Sequence, residues 1–209
     1  MELWYPDAFR LDGPAGKQGY TGIRVRQGKG AIYHSAEGEW RGLLAVLEST
    51  RKASWHLSLL TSGAWMQHYP LNAVCWHGGC VFANANFVGV ECEGRVGEPL
   101  TRAQIAALAE FTAWLAEEED WAIIQRHVTL REHREMAEYG ADPTACPSGR
   151  IPWEEIINMA TQDKEAREEA RKATFRQHIA GLILSGDEKL SEQAYMEMKY
   201  VRGLAGKPI

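Results

Sequence analysis

The sequence contains no apolar run approaching the roughly 18 residues that a membrane-spanning helix needs. Its first ten residues, MELWYPDAFR, also lack the basic start and the apolar segment of a secretory signal peptide. We therefore expect no membrane insertion. We also expect the protein to be made and kept in the cytoplasm of the producing cell until it is released.

Cysteine is scarce, and basic residues are in the minority. Four cysteines in 209 residues do not suggest the disulfide framework of a small secreted protein. Free thiols or a metal site are the expected uses, although Cys75 and Cys80 could still pair. The 23 basic residues are scattered among 28 acidic ones, for a formal net charge of -5, so nucleic acid is not the expected partner.

What is present indicates a globular protein with one main domain, since 45% of the residues are apolar and eight are tryptophan. The glycine-rich residues 1–30 predict loop. Hydrophobic patterning predicts a buried strand in AIYH, a helix in EWRGLLAVLESTRK, a hairpin from WHLSLL and AWMQHYPL, and a strand in NFVGVECEG. It further predicts a long helix after Thr101, which forms a capping box with Gln104, and a strand in WAIIQRHV.

The second half of the chain contains a long polar loop that ends at Pro152, and loops of this length are usually functional. A helix is predicted from Pro152 onwards. The charged stretch DKEAREEARK is typical of a solvated helix or helical linker, and two apolar stripes over 170–205 predict a C-terminal helical hairpin.

Several histidines and one cysteine are candidate metal ligands. A zinc hydrolase usually takes three protein ligands from His, Cys and carboxylate side chains. His34 ends a predicted buried strand, His133 lies in the long loop, and Cys146 follows His133 by thirteen positions in DPTACPSGRIPW. His127 is the nearest rival of His133. Spacing alone leaves the metal site open, because any one of these histidines can equally be a hydrogen-bonded structural residue.

The order of several segments resembles one family, the zinc-dependent N-acetylmuramoyl-L-alanine amidases, which includes many bacteriophage endolysins and the animal peptidoglycan recognition proteins. The resemblance covers roughly residues 28–158. The segments that carry it are AIYHSAEG, SWHLSLLTSGAWMQHYPLNAVCWHGG, NFVGVECEG, LTRAQIAALAEFTAWL, HREM and DPTACPSGRIPW.

The resemblance implies a zinc site in which His34, His133 and Cys146 are the three protein ligands. Some branches of the family have aspartate at the third position, and a thiolate or a carboxylate each brings one negative charge. Two neutral imidazoles and one thiolate would leave the site with a net charge of +1. The cofactor that we expect is therefore Zn²⁺.

The resemblance also implies the catalytic and substrate-binding residues. Glu91 matches the acidic residue that handles the proton of the attacking water, and Thr144 stands where some members place an oxyanion-stabilising lysine. Trp55 and His56 match a tyrosine and histidine pair of many phage members, although an indole N–H can only donate a hydrogen bond. His77 aligns with a substrate-groove histidine, and a turn histidine is its rival interpretation.

The expected fold is α/β, with a central mixed β-sheet flanked by helices, a zinc groove on one face and a C-terminal helical extension. Residues 1–160 would form the amidase domain, and residues 161–209 the charged helix and the hairpin. The expected function is hydrolysis of the amide between N-acetylmuramic acid and L-alanine, as in a phage endolysin that acts on the cell wall after release. A non-catalytic peptidoglycan-binding module and a closed structural zinc site, with His127 as fourth ligand, are the alternatives. The helical hairpin could also join two copies of the chain.

Overall fold

A six-stranded mixed sheet forms the centre of the computed structural model, which describes residues 2–20, 22, 23 and 25–185. The strands are β1 (Ala8–Arg10), β2 (Gly30–Ser35), β3 (Leu57–Leu59), β4 (Trp65–Gln67), β5 (Phe87–Cys92) and β6 (Leu130–Glu132). Their spatial order is β1-β4-β3-β5-β2-β6, and all neighbours are parallel except β3 and β4. The predicted hairpin is this antiparallel pair.

Helices cover both faces of the sheet. They are α1 (Trp40–Glu48), α2 (Val81–Asn86), α3 (Arg102–Glu118), α4 (Trp153–Ala160) and α5 (Lys164–Leu184), with a 3₁₀ helix at His133–Tyr139. The long α3 packs on one face, where Val88, Val90 and Phe111 belong to the largest apolar cluster. On the other face, smaller clusters join the sheet to α2 and the 3₁₀ helix, and lie beneath α1.

Strand alternation separates the core from the functional face. In β5, Val88, Val90 and Cys92 point into the cluster under α3, so that Gly89 and Glu91 point to the opposite face. This is the division that the pattern of NFVGVECEG predicts. Because β2 and β5 are parallel and His34 pairs with Glu91, the two polar side chains emerge side by side at the carboxyl ends of their strands.

Most predicted elements are present, including the capping box in which Thr101 and Gln104 bond reciprocally at the start of α3. The strand predicted in WAIIQRHV is wrong, and the strand at this place is β6. The backbone carbonyl of Gln125 accepts the N–H groups of Thr129 and Leu130, and this turn ends the apolar run before β6. Ile123 and Val128 are about half exposed, so the apolar run is not buried. The edge strand β1 was not predicted.

The charged stretch forms the start of α5 and packs against α3. Its Arg167 is buried and pairs with the buried Glu110 of α3 at 3.1 Å. This pairing favours an attached helix over a free linker. The second helix of the predicted hairpin lies outside the described residues, and a dimer through these helices stays a prediction. Within the described part of the chain, no helix is both long and apolar enough to span a bilayer.

Candidate active site

Three side chains that could hold a metal meet at the carboxyl end of β2. His34 lies near the end of β2, His133 directly follows the neighbouring β6, and Cys146 comes from the loop before α4. Their ligand atoms all lie within 4.8 Å of one another, and His34 Nδ1 is 3.7 Å from Cys146 Sγ. The topology therefore places together three residues that are up to 112 positions apart in sequence.

The carboxyl group of Glu91 lies beside this group, with Oε1 3.9 Å from His34 Nδ1. Burial and, to a smaller extent, the nearby charge of Glu37 together raise the pKa of Glu91 to about 8. The side chain still has 16% of its surface exposed, so the carboxyl can meet a water or a substrate. A carboxyl of this kind can hold a proton or release it near neutral pH.

The donor set fits a zinc ion. Burial lowers the pKa of both His34 and His133, which keeps the imidazoles neutral with a lone pair available. Burial also raises the pKa of the Cys146 thiol to about 12, so a metal would have to displace its proton. A tetrahedral zinc shell spaces N and S ligand atoms by roughly 3.3–3.8 Å, and the 3.7 Å between His34 Nδ1 and Cys146 Sγ lies in that range.

Backbone contacts hold the Cys146 loop against the sheet. The N–H of Ser35 donates to Cys146 Sγ at 3.3 Å, and the carbonyl of Cys146 accepts the N–H of Arg134 at 2.9 Å. The buried guanidinium of Arg150 donates to Ser35 Oγ and to the carbonyls of Cys92, Glu93 and Glu98. Arg150 thus ties the ends of β2 and β5 to the loop, a role that its sequence position did not predict.

The comparisons with known proteins assign the family. Residues 21–149 match the sequence model of the family described as N-acetylmuramoyl-L-alanine amidase. The chain belongs to this family. The match covers more than half of the chain and confirms the predicted family and enzyme class, whereas no curated protein matches the sequence.

Solved structures of amidases share the fold. The chain is similar to the endolysin amidase LysCS of Clostridium intestinale, with 17% identity, a TM-score of 0.51 and coverage of 74% of this chain and 97% of that one. A mutant endolysin from Bacillus subtilis has 18% identity, a TM-score of 0.55 and coverage of 73% and 97%. A selenomethionine derivative of AmpD has 19% identity, a TM-score of 0.57 and coverage of 77% and 100%. These similarities confirm the predicted mixed sheet flanked by helices.

Two residues that the amidase resemblance assigned to substrate binding lie inside the protein. Trp55 is 3% exposed and donates its indole N–H to Ser58 Oγ, and His56 is fully buried. His56 Nδ1 accepts the N–H of Gly89, and its Nε2 bonds the carbonyl of Ala73. The substrate-binding role of Trp55 and His56 stays a prediction, and this burial does not support it. Their hydrogen bonds instead hold the sheet beneath the site.

His77 is also buried, and its ring contacts a candidate metal ligand. It is 7% exposed, and its ring bonds His34 Nε2 at 3.1 Å and the carbonyl of Phe87 at 3.0 Å. Both ring nitrogens are therefore engaged within the protein. In this structure His77 contacts a candidate ligand of the amidase site, and its expected contact with substrate stays a prediction.

His127 does not complete the metal shell. Its side chain is 69% exposed, and Nδ1 lies 3.3 Å from Glu135. In the described residues the ligand group contains only His34, His133 and Cys146. A shell of three protein ligands is typical of a catalytic zinc site, since the fourth position stays open for water or substrate.

The buried histidines of the amidase predict loss of stability in acid. Burial lowers the pKa of His56 well below its usual value and that of His68 to about 4. Between pH 6.5 and about 4 the unfolded chain binds protons at these two positions that the folded protein does not. Each contributes up to about 1.4 kcal/mol of lost unfolding free energy per pH unit. Urea unfolding of metal-free protein at a series of pH values from 7.5 to 5 would measure this slope.

The variant His68→Gln supplies the control for this experiment. It removes one titrating group, so its slope in the acid range should be shallower by up to about 1.4 kcal/mol per pH unit. An unchanged slope would mean that His68 is protonated equally in both states.

Proposed function

We propose that this amidase is zinc-dependent and cleaves the bond between the lactyl group of N-acetylmuramic acid and L-alanine in peptidoglycan. The proposal is carried by the grouping of His34, His133 and Cys146 within 4.8 Å, beside the largely buried carboxyl of Glu91. Two imidazoles and one thiolate would hold the ion, and they leave one position of a tetrahedral shell open.

A bound zinc ion would supply Lewis acidity, which lowers the pKa of a water to about 7 and polarises the scissile carbonyl. Glu91 is the proton carrier. Its carboxylate accepts a proton from the attacking water, and the carboxylic acid so formed donates that proton to the nitrogen of the departing L-alanine. Its surroundings suit both states, because burial favours the neutral acid and a neighbouring dication favours the carboxylate.

Thr144 is proposed to support the oxyanion that develops on the carbonyl oxygen. Its Oγ1 accepts the backbone N–H of Cys146 at 3.2 Å, which fixes the hydroxyl close to the ligand loop. A hydroxyl that accepts one bond still has its hydrogen to donate. Thr144 can therefore act as donor without any change in the backbone.

The proposal is tested by incubating purified protein with peptidoglycan and measuring new α-amines of L-alanine together with new reducing sugar ends. We expect amines without reducing ends, loss of activity on treatment with a chelator, and recovery on addition of zinc. New reducing ends in place of amines would identify a glycosidase. Substrate binding without turnover would identify a recognition module, which the presence of all three ligands and Glu91 disfavours.

We further propose that the enzyme is an endolysin, which acts on the cell wall after its release from the cytoplasm. Support comes from the endolysins among the similar structures. An enzyme that recycles wall fragments is the alternative. An endolysin should release amines from intact sacculi at least as fast as from soluble muropeptides, and the reverse preference would favour recycling.

A further inference from the structure

The ring of His77 lies behind that of His34 and makes two hydrogen bonds in series. His34 Nε2 and His77 Nδ1 are 3.1 Å apart, and His77 Nε2 and the carbonyl oxygen of Phe87 are 3.0 Å apart. The two rings are nearly perpendicular, at 87°, with their centroids separated by 5.3 Å. A chain of bonds therefore runs from a fixed backbone carbonyl to the ring of a candidate metal ligand.

The direction of each bond follows from the carbonyl at its end. A carbonyl oxygen only accepts, so the hydrogen of a neutral His77 must lie on Nε2. His77 Nδ1 then has a lone pair and must accept, which places the hydrogen of His34 on its own Nε2. His34 Nδ1 is left with a lone pair, and this is the atom 3.7 Å from Cys146 Sγ.

The surroundings hold His77 in this orientation. Asn84 Oδ1 accepts the backbone N–H groups of His77 and Gly78, at 3.0 and 2.7 Å. The ring lies directly over Gly89 of β5, where an added Cβ would come within 2.4 Å of it. Glycine at this position gives the ring its space, and the asparagine fixes the turn that carries it.

We infer that His77 is a positioning residue, which locks His34 in the Nε2–H tautomer and so presents the Nδ1 lone pair to zinc. The inference rests on the proposed zinc site. Outer partners of this kind orient ligand histidines, and their loss typically costs about 10–100-fold in metal affinity. A relay through a second histidine to a carbonyl fixes the tautomer without placing a negative charge behind the ligand.

The tautomer can be read directly by ¹⁵N NMR of the histidine rings in metal-free protein, and zinc affinity by competition with a chelator. In the native protein we expect His34 to carry its hydrogen on Nε2. His77→Leu removes the acceptor, so His34 should populate both tautomers and zinc affinity should fall by about 10–100-fold. His77→Asn keeps an oxygen near the position of Nδ1, and its affinity should lie between those of the native protein and His77→Leu.

A matched control is His68→Leu, because His68 is equally buried and also bonds through both ring nitrogens, to Ser58 and Leu11. This variant should lose stability and keep the native zinc affinity. Equal zinc affinity in His77→Leu and the native protein, or an Nδ1–H tautomer of His34, would overturn the inference.

The experiment still gives an answer if the variant does not fold or if the protein binds no zinc. If His77→Leu does not fold, the tautomer of His34 in the native protein decides the question alone. If the native protein binds no zinc, the proposed cofactor fails, while the NMR measurement still tests the relay.

Discussion

Replacing Glu91 with glutamine is expected to lower amide hydrolysis by about 10²–10⁴-fold, the usual contribution of a general acid and base. Glutamine has nearly the same shape and keeps a carbonyl oxygen, but it cannot take a proton from water or pass one to the leaving amine. Because Glu91 Oε1 is 3.9 Å from His34 Nδ1 and the three proposed ligands are untouched, zinc content should stay at one per chain. Amine release and metal analysis would check these two expectations, and thermal unfolding of the same preparation would show that the variant is folded.

The matched control is Glu37→Gln, which removes a neighbouring carboxylate that makes different contacts. Glu37 accepts hydrogen bonds from Ser35 Oγ at 2.6 Å and from the Val96 N–H at 2.8 Å. Since its charge raises the pKa of Glu91, the variant should lower that pKa and change activity by less than about tenfold. Retention of more than a tenth of the activity in Glu91→Gln would remove Glu91 from the mechanism.

The active-site strands were predictable because short-range patterning determines them. AIYH and NFVGVECEG are apolar runs of the length of a buried strand, and alternation places Glu91 opposite Val90 and Cys92. The pairing of His34 with Glu91 was not available from either run, because register depends on contacts between segments more than 50 positions apart. The ordered family motifs supplied what patterning could not.

The roles of the buried polar residues could not be predicted in the same way. Trp55, His56 and His77 match positions of the family pattern, but a pattern does not show which ring nitrogen faces a backbone carbonyl. In the structure each of the three side chains is at most 7% exposed, and each makes a hydrogen bond within the protein. A histidine between a tryptophan and two glycines, as in CWHGG, is equally consistent with a groove or with an interior turn, and the sequence does not show that its ring packs over Gly89.

The error at WAIIQRHV has a similar origin. Apolar residues there satisfy the strand pattern, but the turn at Gln125 prevents extension, and the strand partner of β2 starts only at Leu130. Hydrophobic periodicity does not reveal this turn, because bonds to the backbone carbonyl of Gln125 and bonds of the Thr129 hydroxyl stabilise it. The segment that follows, which the sequence predicts as a long functional loop, contains β6 and the 3₁₀ helix, and it supplies His133 and Cys146 to the site.

Replacing Cys146 with serine is expected to weaken zinc binding by more than about 100-fold, beyond the range typical of changes to outer partners, and to abolish amide hydrolysis in parallel. A serine hydroxyl does not ionise near neutral pH, so the site would lose its only anionic ligand and keep two imidazoles. Cys146→Asp restores a negative charge and should recover part of the affinity. Chelator competition measures the affinity, and cobalt substitution would show loss of the sulfur-to-metal absorption in both variants.

Cys80→Ser is the control for this prediction. Cys80 is partly exposed and caps α2 by accepting the N–H of Ala83 at 3.5 Å, a position that serine suits well. Its thiol is not in the ligand group, so both zinc affinity and activity should equal those of the native protein. If Cys146→Ser instead kept one zinc per chain at native affinity, the third ligand would have to come from another residue. Reduced affinity in Cys80→Ser would then point to its thiol, since the other two cysteines, Cys75 and Cys92, are fully buried.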